Sequence, residues 1–140
     1  MSYKIFPTEE FIKAAKKIKA TYPDFKTDLA DLGKKLKKDP LSIPQLDPLG
    51  DGLFKCRIDI TGKTAGKSYG ARVVYLLISV DNEVWMMTCF DKSTKKDLSA
   101  AESRSLRLLA KTAQKYKQGD VRSDLLKSIH RKKALRKKKS

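Results

Sequence analysis

Arg57 and Arg72 are the two side chains whose placement in this sequence asks for a chemical explanation. Each falls in a segment patterned like a β-strand. From Leu53 to Ile60, Phe54, Cys56, Ile58 and Ile60 point one way, while Lys55, Arg57 and Asp59 point the other. Ala71 to Val80 is a nearly continuous apolar run broken by Arg72, as suits a central strand buried on both faces. A guanidinium there is costly unless it is paired, lies at a sheet end or faces an anion. Neighbouring strands would bring both arginines to one sheet face, where they could hold an anion. The structural alternative is a salt bridge from Arg72 to Asp59 or Glu83.

Two further basic clusters flank these strands. Thr61 to Gly70 is glycine-rich and carries Lys63 and Lys67. It is not a nucleoside-triphosphate loop. Gly62 and Gly66 enclose three residues where that motif needs four, and the segment leads into a strand rather than opening a helix. It reads either as a flexible hairpin connection or as a cationic flap over RNA phosphates. Lys92 falls where the last strand ends, with Lys95 and Lys96 just beyond; taken alone this is an ordinary charged loop. His130 is the single histidine, which excludes a His pair, a multi-His metal site or a zinc cluster by count. No carboxylate cluster replaces it, so neither a metal nor another cofactor is expected. Cys56 and Cys89 fit reduced thiols on strands and form no disulfide framework.

The charge balance points to a polyanionic partner. The 140 residues hold 32 Lys and Arg against 16 Asp and Glu, a net charge of +16. Residues 1–100 carry 18 basic and 13 acidic side chains; residues 101–140 carry 14 and three. Residues 121–140 alone hold nine basic side chains and one acid, and so should add electrostatic, sequence-independent affinity for RNA or else form a solvated end. No run of eighteen apolar residues exists and MSYKIFPTEE lacks a signal-peptide stretch, so a cytoplasmic protein without a membrane span is expected.

The elements that must position these residues can be read in order. Tyr3 to Phe6 is a short strand stopped by Pro7. Thr8 is a helix N-cap with Glu9 and Glu10 in the first turn. Phe11, Ala15, Ile18 and Tyr22 share a helical face, and so do Phe25, Leu29, Leu32 and Leu36, with Pro23 expected at the first position of the second helix. Gly33 inside that helix suggests close packing. Leu41 to Gly52 reads as a loop. Asp81-Asn82 reads as a two-residue hairpin turn into a strand from Glu83 to Phe90, in which Trp85, Met87 and Cys89 alternate with Val84, Met86, Thr88 and Phe90. Ser99 and Glu102 form a capping-box pattern for a helix with Leu106, Leu109, Ala113 and Tyr116 on one face. A weak last helix spans Val121 to about Ile129. The expected fold class is α+β: a small antiparallel sheet with an N-terminal helical pair packed on one face and a C-terminal helix.

This order of elements resembles the RelE/ParE toxin superfamily. Gly66 to Tyr75 (GKSYGARVVY) is similar to the "GKSGGARVIYY" stretch of its HigB-like RelE branch. Val84 to Ser93 (VWMMTCFDKS) is similar to the "IYLLTLYAKNE" stretch, Asp97-Leu98-Ser99 matches the usual ending, and Asp51 to Arg57 resembles the preceding strand. The resemblance covers about residues 3–99. It implies a toxin domain over residues 1–99, followed by a basic C-terminal helical extension over 100–140. It also implies a cognate antitoxin, and binding to the ribosome and mRNA, with metal-free cleavage by attack of a ribose 2′-hydroxyl on the adjacent phosphate. Carried over by position, Arg57 and Arg72 would stabilise the phosphate and Lys92 would be the acid/base or a further clamp. Lys67 would bind backbone, and Lys55, Lys63, Lys95 and Lys96 complete the expected RNA-binding set. Phe90 stands where the family block carries an aromatic hydroxyl, and Asp91 replaces a small residue beside Lys92. The alternative on the same fold is a non-enzymatic binder, either a ParE-like topoisomerase inhibitor or a basic RNA-binding protein.

Overall fold

The structure, a computed structural model, describes residues 2–63, 70–116 and 122–126. Its elements run β1 (Lys4–Pro7), α1 (Glu9–Thr21), α2 (Phe25–Lys38), β2 (Asp47–Gly50), β3 (Leu53–Ile58), β4 (Ala71–Ile78), β5 (Glu83–Asp91) and α3 (Ala100–Lys115). The α+β class is as the sequence implies. The five strands form one sheet in the order β1-β5-β4-β3-β2. Strands β2 to β5 are antiparallel neighbours, but β1 pairs parallel with β5, so the sheet is mixed rather than purely antiparallel. Because β1 and β2 lie at opposite edges, the chain between them must cross the sheet, and the helical pair makes that crossing.

The crossing buries the apolar stripes expected of both helices. Phe11, Ala15 and Ile18 of α1, with Phe25, Leu32 and Leu36 of α2, pack against Cys56, Val73, Tyr75, Val84, Met86 and Cys89 on one sheet face. Thr8 caps α1 by accepting a hydrogen bond from the Phe11 N–H at 3.1 Å. The Asp24 cap, not Pro23, precedes α2; Pro23 lies in the turn between the helices. The opposite sheet face carries Leu53, Val74, Leu76, Ile78, Trp85 and Met87, covered by Ala110 and Ala113 of α3 and by Leu126. The capping box of α3 is complete, with Ser99 and Glu102 each accepting the other's backbone N–H. Tyr116, expected on the buried face, is instead the C-cap and 43% exposed.

Three local expectations are corrected by the backbone. Residues 47–50 of the supposed loop form edge strand β2, where Pro48 is tolerated because an edge leaves one side of the ladder unpaired. The β4–β5 connection is a 3-10 turn, Ser79–Asp81, followed by Asn82 in the left-handed region, rather than a two-residue hairpin turn. The alternation of β5 breaks at a bulge: Tyr75 faces Met86 but Val74 faces Thr88, leaving Met87 as the extra residue. Beyond the bulge, Cys89 joins Val84 and Met86 under the helical pair, and Phe90 turns to the other face.

Residues 122–126 form a helical turn held by one side chain. Arg122 is only 2% exposed. Its guanidinium donates to Asp81 at 2.6 Å, to Glu83 at 3.1 Å, and to the carbonyls of Ala113 (3.1 Å) and Tyr116. Glu83, also buried, further accepts the Trp85 indole N–H at 2.9 Å. Arg122 is therefore a core residue, to be subtracted from the cations read as RNA-binding in residues 121–140. The expected helix end at 127–129 lies outside the described residues.

Gly33 and Arg122 make opposite demands on stability. Gly33 is not at a close contact, since a Cβ there would meet nothing within 4 Å. Gly33→Ala should therefore raise the urea unfolding free energy by about 0.5–1 kcal/mol through helix propensity. Arg122→Met should lower it by about 3–5 kcal/mol, because Glu83 is left buried without its counter-charge. Adding Glu83→Gln to that variant should recover part of the loss in the same titration.

Candidate nucleic-acid interface

Strand register places the two arginines directly opposite one another. Arg57 of β3 faces Arg72 of β4, and Arg72 faces Phe90 of β5, so all three form one row across the sheet. The next row is Lys55, Val74 and Thr88. Both rows lie on the face that α3 covers, and the arginine row lies past the residues that α3 buries. Gly70 sets the spacing at this end: a Cβ there would sit 2.4 Å from the Ile58 carbonyl oxygen, so only glycine lets the start of β4 lie against β3.

Like charges directly across a ladder repel. Arg57 is exposed, but Arg72 is only 8% exposed. Neither Asp59 nor Glu83 compensates Arg72; Glu83 belongs to Arg122 at the other end of the β4–β5 ladder. Among the described residues Arg72 has no carboxylate within salt-bridge distance, and its guanidinium reaches only the Ala71 carbonyl at 3.4 Å. Burial, and then the Arg57 charge, push its pKa down, while Asp97 pulls the other way. Such a group stays protonated and presents a cation that no carboxylate among the described residues pairs directly.

The expected lysines separate into different roles. Lys55 is engaged by Asp97 at 3.0 Å and by Asp47 at 3.6 Å. Lys92 extends the strand, its N–H donating to the Gly70 carbonyl at 3.1 Å, and its ammonium turns to the Lys96 carbonyl. Lys95 pairs with Glu102 and lies 5.9 Å from the centre of the Phe90 ring. Lys96 is exposed. Lys63 is not a flap on this face. Its ammonium bonds Asp91 and Ser93 Oγ (2.7 Å), lies 5.9 Å from the Tyr22 ring centre, and is nearly buried. Asp91 accordingly turns to Lys63 and away from Lys92; burial alone would raise its pKa, but the Lys63 and Ser93 hydrogen bonds outweigh this and hold it low. Lys67 lies outside the described residues, as does His130.

One residue of this face is marked in the sequence only by its place in the Asp97-Leu98-Ser99 ending, with no role attached to it. Asp97, in the segment after β5, sits among the cations, and the Lys55 and Leu98 N–H hydrogen bonds hold its carboxyl below the usual carboxylate range, with Lys92 adding to the effect. Only the fold-back of residues 92–98 over the sheet brings it there, and no periodicity reports that. Cys56 and Cys89 are buried free thiols whose pKa burial pushes up to about 12, which leaves them inert at neutral pH. Among the described residues no three His, Cys, Asp or Glu side chains gather as metal ligands, and no helix is long and apolar enough to cross a membrane.

The arrangement can hold a phosphodiester against the arginine row, with a lysine and a carboxylate beside it. Comparison with known proteins gives this geometry its context. No curated protein sequence matches the chain. The solved structure of E. coli toxin RelE, as a double arginine-to-alanine mutant in the free state, matches with a TM-score of 0.52 at 18% identity, covering 76% of this chain and 98% of that one. At that identity the likeness shows the fold. The family model described as the RelE toxin of the RelE/RelB toxin–antitoxin system matches residues 3–135, well past the span 3–99 that carries the resemblance in the sequence. The chain therefore belongs to the RelE toxin family.

Proposed function

We propose that this toxin is a ribosome-dependent mRNA endoribonuclease of the cytoplasm, held in check by a cognate antitoxin. The observation that carries the reading is the Arg57–Arg72 pair, two arginines opposed across the ladder with no carboxylate among the described residues in salt-bridge contact with either. A protein stabilises such a pair when an anion binds there, and a phosphate in the act of cleavage carries more negative charge than one at rest. In this reading the ribose 2′-oxygen attacks the adjacent phosphorus, the bond to the 5′-oxygen breaks, and Arg57 and Arg72 hold the non-bridging oxygens. Lys92 gives a proton to the leaving 5′-oxygen, and Lys96 with residues 127–140 adds sequence-independent affinity for RNA. One observation favours the non-enzymatic alternative: Phe90, buried beneath Lys95, has no proton to transfer.

Arg72→Ala should slow translation-dependent mRNA cleavage about a hundredfold or more, equivalent to about 2.7–4 kcal/mol of transition-state stabilisation, with circular dichroism unchanged. Primer extension on mRNA from translating extracts reads this directly. A wild-type protein that leaves mRNA intact but inhibits a topoisomerase would support the binder instead. Residues 127–140 hold eight basic side chains and no acid. Removing them while keeping Arg122 should weaken RNA binding and flatten its log–log salt dependence by about 0.7 for each single-strand phosphate no longer neutralised. Filter binding across a salt series measures the slope.

A further inference from the structure

A carboxylate stands among cations on a face built to receive a phosphodiester. Asp97 Oδ1 accepts the Lys55 ammonium at 3.0 Å and the Leu98 N–H at 2.8 Å. Oδ2 accepts no hydrogen bond from any described residue, and the side chain is 58% exposed. Lys55 is the cross-strand partner of Val74, one row from the Arg57–Arg72 pair, so the carboxylate it holds lies near enough for its charge to act on Arg72.

We propose that Asp97 is the general base of the cleavage reaction, taking the 2′-hydroxyl proton on Oδ2. The inference rests on the ribonuclease reading above. As the proton moves to Oδ2, the 2′-oxygen forms its bond to phosphorus. The bond from phosphorus to the 5′-oxygen breaks, and that oxygen takes a proton from the Lys92 ammonium. The products are a 2′,3′-cyclic phosphate and a free 5′-hydroxyl. Proton exchange with water then returns Asp97 to carboxylate and Lys92 to ammonium, so no further reactant is consumed.

The two carboxylates that flank Asp97 in the chain, Asp91 and Glu102, are committed elsewhere. Phe90 has no ionisable proton. Asp91 faces Lys63 on the opposite side of the sheet. Glu102 has one oxygen on Lys95 and the other on the Ser99 N–H. Among the described carboxylates, Asp97 is the one whose charge acts on Arg72. The Lys55 hydrogen bond, the Leu98 N–H and the Lys92 charge keep it ionised at neutral pH, as a base must be. That same bias would make it a weak base if it persisted. A phosphate arriving on Lys55 and Arg72 offsets their charge, so the basicity of Asp97 rises when substrate is in place.

The test compares full-length wild type, Asp97→Asn, Asp97→Glu and Lys55→Gln on mRNA-programmed ribosomes, in single turnover at saturating toxin across pH. Asp97→Asn should cleave about 100- to 10,000-fold more slowly, with ribosome affinity unchanged or tighter because one negative charge is removed. It should also lose the acid limb of the pH–rate profile, which Asp97→Glu should partly restore. If wild type cleaves and Asp97→Asn stays within threefold of it, Asp97 is not the base and the ribonuclease reading stands. If Asp97→Asn and Lys55→Gln lose affinity alike and both keep the acid limb, Asp97 only positions Lys55 and the proposal fails. Wild type that leaves ribosome-bound mRNA uncut overturns both readings.

Discussion

Thr8 fixes the register on which the candidate interface depends. Its hydroxyl accepts the Phe11 N–H in the first turn of α1 and lies 2.9 Å from the Met86 carbonyl and 3.1 Å from that of Met87, where β5 carries its extra residue. These are buried polar groups, and they hold because each finds a partner. Had β5 kept regular alternation, Cys89 would face Arg72, and Phe90 would turn into the helical-pair core. The bulge turns over the last residues of the strand. It thus moves an inert thiol off the arginine row and sets an aromatic ring there, beneath Lys95. A helix cap near the start of the chain and the composition of the face that carries the arginine row are one constraint.

The two ends of the β4–β5 ladder treat buried guanidiniums in opposite ways. Arg122 has two carboxylates and two carbonyls around it, and its charge is spent on holding the C-terminal segment against the sheet. Arg72 has one long carbonyl contact and another arginine across the ladder. The two sites are separated by the run of β4 from Arg72 to Ile78, the partner of Glu83, about 20 Å at 3.3 Å per residue. Net charge alone therefore misstates the protein. Arg122 and Lys63 count toward the total of +16, yet both are internal.

Much of this was legible in the residues. Period-two alternation from Leu53 to Ile60, and a lone charge opening the run from Ala71, were enough to put Arg57 and Arg72 on one face, because side-chain direction in a strand is fixed by parity. Thr8 and the Ser99–Glu102 box were readable because capping is a local contact between near neighbours. The unreadable features are all non-local. The parallel pairing of β1 depends on where the helical crossing begins, and the bulge depends on Thr8 reaching across 79 positions to Met87. Lys63 looked like a solvent-facing cation because its partner Asp91 lies 28 residues away on the other arm of the sheet. Asp97 looked like part of a charged loop because only tertiary folding shows what a loop folds back upon. Arg122 was hidden differently: its type and its neighbours matched a solvated basic run, and burial of one member of such a run leaves no trace in composition.

The sheet also ends in a consistent way. Both outer strands, β1 and β2, are only four residues long, and each contains a proline, Pro7 in one and Pro48 in the other. Proline has no amide proton to offer, and a four-residue strand presents little ladder to extend. The three long apolar strands that would template aggregation most readily if exposed are thus flanked on both sides by edges that resist pairing with another sheet. Edge-to-edge joining of one sheet to a second copy is thereby disfavoured at both ends.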